Sequence, residues 1–582
     1  AGLLLRTLTG RQRRFQVGAY PALTGRPAPM RTPCLALAAL LLAACNAPAA
    51  PAPEAVSAPA ITVISGGTIY TGNPDQPTVE AVVVGPDGRI QATVPPLSAD
   101  WSEDEVNLID LKGGVMFPGF TDSHVHLLGV GQRELTLNLE GTASIDELVT
   151  RMKAEVSDKA PGSVIYGSGW IETGWPEGRM PTAADLDAVS LDHKIILLRA
   201  DGHAMVVNSA TLAAAGITKD TPDPDGGRIE RNADGAANGL LIDNAKNLVI
   251  PLLTMPDADG LKSALEIGAK LYASRGWTGG HNMSVSPKEI PLMAELDAQG
   301  RLPIRLYNAL DAEGFEIAAN REMETDTITN RAVKIYMDGA LGSRGALLIK
   351  PYNDRPDTSG LALMEPDDLA ALMARADAAG VQLAIHAIGD LANRRVLEAV
   401  EAGGYDASHR WRIEHAQVFA VEDLMRASAD GLIASMQPSH AIGDLFFAPA
   451  RLGMDRLAGA YAWKTLLENG TVIAGGSDAP VEVGSPLIEF YAAVARKSLK
   501  GESSEGWHPE QALTRDEALA LFTSAAAYAA FEEDDLGTIE PGKLADFTVF
   551  DRDLMTIPEA EILEAKPLLT MIGGEVVWRA ED

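Results

Sequence analysis

The sequence predicts an α/β protein built around a (β/α)8 barrel, with a smaller β domain assembled from both ends of the chain. The middle of the chain alternates short apolar strands with helical segments, a pattern typical of βα units and a parallel sheet. Both ends carry short strands separated by Gly-containing turns, as in "ITVISGGTIYTGNP" and "LGTIEPGKLADFTVFD". The chain has 582 residues and is 46% hydrophobic, so a large buried core is available. A barrel of this type can absorb about 250 residues or more as one domain.

Charge and cysteine content exclude several classes of protein. The net charge is −32, with 80 acidic against 48 basic residues, which argues against binding nucleic acid or anionic lipid through a basic face. Only two cysteines are present, Cys34 and Cys45, and both precede the predicted folded body. A disulfide framework in that body is therefore excluded.

The first sixty residues are predicted to direct export and anchoring. We expect residues 1–29 to be upstream sequence that is not native to the protein, and residues 30–45 to form a lipoprotein signal peptide. Its apolar stretch is too short to span a bilayer, and it ends in "LAAC", which resembles a lipobox with Cys45 as the lipidated residue. Cleavage of an ordinary secretory signal is the alternative. Residues 46–60 form a Pro/Ala tether. We thus expect an exported protein, lipid-anchored to the cell envelope and facing the periplasm.

The stretch "GFTDSHVH" contains a candidate metal-binding pair. The preceding "VMFPGF", residues 115–120, is apolar and predicts a buried strand. In an extended strand, residues i and i+2 point to the same side, so His124 and His126 would present both imidazoles to one point. Imidazole is a common ligand for zinc-type metals. Two histidines at a polar strand end without a metal remain the alternative for this fragment alone.

Further strand ends along the chain carry residues of the same chemical type. They are Lys334 in "VKIYMDG", His386 in "VQLAIHAIGD", His415 in "RWRIEHAQ", His440 in "LIASMQPSH" and Asp478 in "TVIAGGSDAP". In a (β/α)8 barrel, the carboxyl ends of the strands form one active-site face. A single buried histidine is usually a satisfied core residue, but a set in this order indicates a metal site.

The order "DSHVH", strand lysine, "HAIGD", "IEHA" and "GSDAP", closed by "LGTIEPGKLADFTVFD", resembles the amidohydrolase superfamily of metal-dependent hydrolases. It is most similar to the long branch that includes N-substituted formamide deformylases, from about Ile61 to the C-terminus. The resemblance implies a distorted (β/α)8 barrel over residues 116–535, with an insertion at about 160–250 after the first strand. It also implies a β-sandwich from residues 61–115 together with 536–582.

The resemblance further implies a two-metal centre. Its implied ligands are His124, His126, Lys334, His386, His415 and Asp478. His124 and His126 would bind one divalent ion, and His386 and His415 would bind a second. A carbamate on Lys334 would bridge the two ions. A carbamate offers two anionic oxygens, whereas a free ammonium cannot ligate metal. Asp478 would be both ligand and general base. The ligand types fit Zn²⁺ best, with manganese, iron and nickel as alternatives.

An ordinary lysine at position 334 would instead leave a mononuclear site. That site would hold one ion through His124 and His126, either His386 or His415, and Asp478.

Three other residues are candidates for handling substrate. His203, in the "DGH…NS" pattern, either hydrogen-bonds the substrate carbonyl or is a structural turn histidine. Trp170, in "YGSGWIETGWPEGRMPT", either forms an apolar wall or packs within the insertion. Arg344 either clamps a substrate carboxylate or pairs with Asp338. His281, in "GWTGGHNM", lies at another strand end, and its role is left open.

The predicted function is hydrolysis of carbon–nitrogen bonds other than peptide bonds, in an amide or formamide of a small molecule. The alternatives are a deaminase of the same fold with one metal, and a non-catalytic binding lipoprotein. The expected partners are a small-molecule substrate and the membrane that holds the lipid anchor, without nucleic acid. The sequence leaves the oligomeric state open, with a homodimer as one candidate.

Overall fold

The computed structural model describes residues 61–94, 106–157, 159–253, 256–503 and 507–581. The predicted upstream sequence, signal peptide and tether, residues 1–60, lie outside these ranges. No helix within them is both long and apolar enough to cross a membrane.

The described strands fall into four consecutive groups along the chain. The first group contains β1 (Ile61–Tyr70), β2 (Thr78–Val84), β3 (Ile90–Val94), β4 (Val106–Asp110) and β5 (Val115–Pro118), followed by the first barrel strand, β6 (Phe120–Val125). The insertion contributes β7 (Leu137–Asn138), β8 (Val164–Trp170), β9 (Lys194–Arg199), β10 (Ala204–Val207), β11 (Gly227–Arg231) and β12 (Ala237–Asp243). The barrel resumes with β13 (Trp277–Val285), β14 (Arg305–Leu310), β15 (Ile328–Tyr336), β16 (Gln382–Ala387), β17 (Arg412–His415), β18 (Ile433–Met436) and β19 (Ile473–Gly475). The chain ends with β20 (Phe547–Phe550), β21 (Pro567–Ile572) and β22 (Glu575–Arg579).

Helices alternate with the strands of the barrel and of the insertion. Those of the first strand and the insertion are α1 (Leu127–Leu135), α2 (Ile145–Ser157), α3 (Ala183–Asp187), α4 (Ser209–Ala214) and α5 (Ala258–Arg275). Those of the later barrel are α6 (Ile290–Ala298), α7 (Phe315–Asn320), α8 (Pro366–Ala379), α9 (Asp390–Gly403), α10 (Leu424–Ala429), α11 (Pro438–Asp444), α12 (Ala448–Leu452), α13 (Trp463–Glu468), α14 (Pro486–Ala495), α15 (Arg515–Leu521) and α16 (Ser524–Ala529). The last is α17 (Glu559–Ile562), between β20 and β21.

Eight parallel strands form the barrel, in the order β6, β13, β14, β15, β16, β17, β18 and β19. Strands β16, β17 and β18 are buried along their whole length, as expected for a parallel sheet covered on both faces. Closure between the last and first strands comes from a parallel bridge between Val125 and Ala479. The backbone N–H of Asp478 also donates to the carbonyl of His124 at 2.7 Å. The predicted distorted (β/α)8 barrel is therefore confirmed.

The two ends of the chain form one eight-stranded sheet beside the barrel. Strand β20 pairs antiparallel with β5, and β5 pairs parallel with β1, so the C-terminal strands join the N-terminal ones directly. Side chains from both ends, including Ile69, Val82, Phe547 and Met571, form one core cluster. The N-terminal and C-terminal segments of the predicted β domain thus depend on each other for burial.

Two boundaries differ from the sequence prediction. The single strand expected over residues 115–120 is two strands, β5 in the terminal sheet and β6 in the barrel, separated at Gly119. A Cβ at Gly119 would lie 2.3 Å from Thr278 Oγ1, so the chain passes close to β13 where it changes sheets. The insertion sheet, in the order β11, β12, β10, β9, β8 and β7, begins at Leu137 rather than near residue 160.

Candidate metal centre and substrate cavity

The carboxyl ends of the barrel strands open into a cavity of about 470 Å³. Its wall includes His126, His203, Lys334, His386, His415, His440 and Asp478. His124 lies deeper and is fully buried. The barrel thus gathers at one place all six residues that the sequence predicted as ligands, because each lies in a strand or within three residues of its end.

Asp478 is the acceptor around which the histidines gather. Its Oδ1 lies 3.4 Å from His124 Nε2 and 3.2 Å from His126 Nε2. Its Oδ2 lies 3.6 Å from His440 Nε2 and 3.9 Å from His415 Nδ1. Burial alone would raise the pKa of Asp478, but the neighbouring histidines hold it well below its usual range. Asp478 is therefore an anion at neutral pH.

Four buried imidazoles of the cluster are neutral at the same pH. Burial lowers the pKa of His124, His386, His415 and His440, and the positive charge of Lys334 acts in the same direction on the first three. Neutral imidazole keeps the lone pair with which histidine ligates a metal. Three of these imidazoles, those of His124, His415 and His440, lie beside the Asp478 carboxylate, and this donor set suits divalent cations of the zinc type.

The ligand atoms form two groups that share Asp478. The first contains His124, His126 and Asp478, and the second contains His415, His440 and Asp478, with the atoms of each group within 4.8 Å of one another. Within the described residues, the buried atoms Asp478 Oδ1 and His440 Nε2 have no hydrogen-bond partner. Buried polar atoms are normally satisfied, so unpaired atoms within these two groups fit bound cations.

The second group includes His440, which the sequence reading left without a role. His386, assigned there by resemblance, lies alongside: its ring centroid is 4.5 Å from that of His415, and its buried Nε2 lacks a hydrogen-bond partner among described residues. His386 Nε2 instead lies 3.5 Å from Asp338 Oδ1. The "QPSH" segment after an apolar strand was the signal for His440, but spacing alone could not show that helix α11 turns its ring inward.

Lys334 is a buried amine between these groups. Its Nζ lies 3.3 Å from His124 Nε2 and 4.9 Å above the ring of Tyr336, and the residue is 2% exposed. In the described chain it forms no salt bridge. Burial lowers the pKa of Lys334 to about 8, although the charges of Glu414 and Asp478 oppose this shift. A neutral amine beside the candidate ligand histidines is therefore accessible near neutral pH.

His124 is oriented from behind by a buried ion pair that sequence analysis missed. Its Nδ1 lies 2.5 Å from Glu414 Oε2, and Glu414 Oε1 lies 2.7 Å from Arg412 Nε. The Arg412 guanidinium also binds atoms of three other strands: Ser123 O, His281 Nδ1 and Ser435 Oγ. A carboxylate on Nδ1 leaves Nε2 free for a metal and fixes the ring orientation. Both charged residues lie in "RWRIEHAQ", where their inward direction could not be inferred.

Two predicted substrate contacts lie elsewhere. Trp170 is fully buried in the insertion core, where its Nε1 donates to Leu197 O at 3.1 Å, so it packs the insertion and does not line the cavity. Arg344 pairs with Asp354, at 3.2 and 2.9 Å, rather than with Asp338 or the cavity. The carboxylate of Asp338 instead accepts hydrogen bonds from three backbone N–H groups, which satisfy it without an arginine.

His203 does line the cavity, as expected. Its Nδ1 lies 2.7 Å from Asp243 Oδ1, and its ring centroid is 5.7 Å from that of His386. The insertion therefore contributes a polar side chain to the same space as the barrel residues.

The fold and this cluster define a metal-dependent hydrolase of the (β/α)8 type. Residues 107–578 match the sequence profile of the amidohydrolase family, and the chain belongs to that family. The family and fold that the sequence motifs predicted are therefore confirmed.

Individual relatives agree with this assignment. The chain is 36% identical to the protein YtcJ of Bacillus subtilis, over 88% of this chain and 98% of that protein. It is 29% identical to an N-substituted formamide deformylase of Arthrobacter pascens, over 81% and 89% of the two chains. Among solved structures, an uncharacterized metal-dependent hydrolase from Pyrococcus horikoshii matches with a TM-score of 0.69 and 27% identity, covering 86% of this chain and 99% of that one.

The buried ion pair of Arg412 and Glu414 predicts the effect of Glu414→Gln. Replacing the carboxylate weakens the hold on His124 Nδ1, and loss of such a partner typically lowers metal affinity about 10–100-fold. Competition with a fluorescent chelator measures the affinity, and the thermal midpoint checks folding. Glu532→Gln, near the amino ends of the strands, is the matched control and keeps wild-type affinity. Unchanged affinity in Glu414→Gln would mean that this carboxylate does not orient a ligand.

Proposed function

We propose that this protein hydrolyses non-peptide carbon–nitrogen bonds, in an amide or N-substituted formamide of a small molecule, with two zinc ions. The observation that carries the proposal is the pair of ligand groups sharing Asp478, with the buried Lys334 amine beside them. The likeness to a formamide deformylase supports the choice of bond.

The cavity is of a size that suits such a substrate. Its volume of about 470 Å³ falls within the range of small-molecule sites. Away from the histidines, apolar side chains line it, including Leu198, Ile250, Leu341, Leu363 and Phe447. An apolar wall accommodates the carbon skeleton, while the polar end receives the scissile group.

We propose that Lys334 carries a carbamate. Its neutral amine nitrogen bonds to the carbon of carbon dioxide, and one proton leaves to solvent. The product is an anion with two oxygens in the position of an unpaired buried amine, which would otherwise be costly to hold charged. This modification would convert a residue that cannot ligate metal into one that could.

The protein's residues divide the proton and orientation steps. Bound divalent ions would lower the pKa of a water molecule and polarise the amide carbonyl. Asp478 accepts the proton released when water attacks and delivers it to the leaving nitrogen, since it is an anion held beside the reacting position. His203 hydrogen-bonds the substrate amide from the insertion side of the cavity.

The bridge predicts that Lys334→Ala loses both metal and turnover. Elemental analysis of wild-type protein in bicarbonate buffer should give about two divalent ions per chain, as in binuclear hydrolases. Removal of the lysine lowers both the metal content and the rate. Formate or acetate added to the variant partly restores activity, because its two oxygens mimic the carbamate.

Lys497→Ala is the matched control, since that lysine forms a surface ion pair with Glu559. It keeps metal content and rate. A Lys334→Ala variant with two ions and normal turnover would sink the carbamate proposal. One tightly bound ion in the replete wild type would favour the mononuclear deaminase.

The proton role predicts a different defect for Asp478→Asn. The amide keeps the size of the side chain and one oxygen, so substantial metal is retained while turnover falls by about 10²–10⁴-fold, the usual range for acid–base catalysis. Carboxylate additives have no effect, in contrast to Lys334→Ala. Rates on an amide panel, with metal content measured on the same samples, test this. If the Asp478→Asn enzyme were fully active, a group other than Asp478 would have to transfer the proton.

We also propose that the mature protein is lipid-anchored through Cys45, on the strength of the "LAAC" motif. In a bacterial host, Cys45→Ala should move the protein from the membrane fraction to the soluble periplasmic fraction. Cys34→Ala is the control and leaves it in the membrane fraction. Membrane association that survives Cys45→Ala with the leader intact would count against a lipid anchor.

A further inference from the structure

His203 and Asp243 are cross-strand neighbours in the insertion sheet. Strands β10 and β12 pair antiparallel, with Ala204 opposite Ile242. The next pair continues the ladder, because the N–H of Asp243 donates to the carbonyl of His203 at 2.8 Å. Their side chains then meet on the cavity side, with His203 Nδ1 2.7 Å from Asp243 Oδ1. The backbone register therefore fixes this side-chain contact.

We propose that Asp243 is a positioning residue that keeps a proton on His203 Nδ1 and thereby directs Nε2 at the substrate amide. The inference rests on the proposed function for what binds at Nε2, but the arrangement of the pair itself stands on geometry. A carboxylate oxygen can only accept, so the shared proton must sit on Nδ1. Nε2 is then the ring nitrogen left for a ligand in the cavity that His203 lines.

Asp243 is held in place at an energetic cost. Its backbone has φ of +48°, a region that residues with a side chain rarely adopt. Asp243 is 5% exposed, and its Oδ2 has no hydrogen-bond partner within the described chain. Backbone strain and an unsatisfied buried oxygen at one residue are typical of functional positions. A residue that only closed a turn would be expected to be glycine or asparagine.

Neighbouring groups fix the position of the pair. Lys246 lines the same cavity and donates through Nζ to the carbonyl of Gly202, which places its positive charge beside the pair. On the other side, a Cβ at Gly339 or Gly345 would lie 3.2 or 2.9 Å from an oxygen of Asp243. These glycines follow the strand that carries Lys334, so the barrel loop presses against the Asp243 carboxylate. The pair is thus clamped between insertion and barrel.

The first test reads the proton directly and needs no substrate. In protein labelled with ¹⁵N-histidine, long-range ¹H–¹⁵N correlation spectra distinguish protonated from unprotonated ring nitrogens, and His203→Gln identifies the signal of His203. We expect a proton on Nδ1 in the wild type, and a shift toward the Nε2–H form in Asp243→Asn. A wild-type ring protonated only at Nε2, or a spectrum unaltered by Asp243→Asn, would overturn the proposal.

The second test asks whether the two residues act as a unit. Asp243→Asn is expected to lower kcat/KM by about 10²-fold, at the lower end for acid–base and positioning groups, with metal content unchanged. In a His203→Ala background, Asp243→Asn should have no further effect, since effects of residues acting together are non-additive. Multiplicative losses would show that Asp243 acts independently of His203.

A control variant and a separate outcome complete the design. Asp223→Asn makes the same charge change in the same insertion, where Asp223 only accepts the N–H of Ile229, and it should leave kcat/KM unaltered. If the wild type hydrolyses no amide while the spectra show the Nδ1 proton controlled by Asp243, the proposed reaction fails and the positioning pair stands. If amides are hydrolysed but the proton is on Nε2 alone, the proposed reaction stands and the positioning role of Asp243 fails.

Discussion

The buried guanidinium of Arg412 is the interaction on which the site depends. It lies inside the barrel with no exposure and joins its own strand to β6, β13 and β18. A charge in this position is tolerable only with a paired anion and satisfied hydrogen bonds, and Glu414 supplies that anion. Glu414 is in turn free to point its second oxygen at His124. The electrostatic requirement of one strand's arginine therefore sets the orientation of another strand's ligand, and the site and barrel interior form one network.

Closure of the barrel supplies the second half of the site. Asp478 lies three residues beyond the last strand with φ of +60°, and its N–H is bonded to the carbonyl of His124. The same residue thus joins the last strand to the first and brings its carboxylate between the histidines of the first strand and those of β17 and α11. Strain in the backbone at such a residue is offset by closure of the sheet and by the contacts with His124, His126 and His440 that keep the carboxylate ionised. Fold stability and ligand geometry are here the same set of contacts.

Much of this arrangement followed from local sequence signals. Apolar runs ending in a polar residue predicted the strands and brought the candidate ligands together, because strand ends of a parallel barrel meet at one face. What could not be predicted depends on contacts between distant segments. Arg412 and Glu414 look like ordinary polar strand residues until the neighbours of β17 are known. His440 follows a strand like the others, but only the direction of α11 brings it to Asp478. Trp170 and Arg344 were expected near substrate, yet local packing and Asp354 satisfy them first.

The contacts also suggest why chemistry is divided between the barrel and the insertion. Ligands on barrel strands are held by register on both sides, which suits groups whose separations must be fixed to bind metal. The insertion is joined to the barrel mainly through its ends and through contacts such as Asp243 against Gly339 and Gly345. In the proposed reaction, a histidine on this separate sheet meets the substrate without disturbing the candidate metal ligands, and changes in the insertion alter which substrates fit. The cost of this division is that His203 needs its own support. Asp243 is strained and partly unsatisfied because it provides for the insertion what Glu414 and Arg412 provide for the barrel.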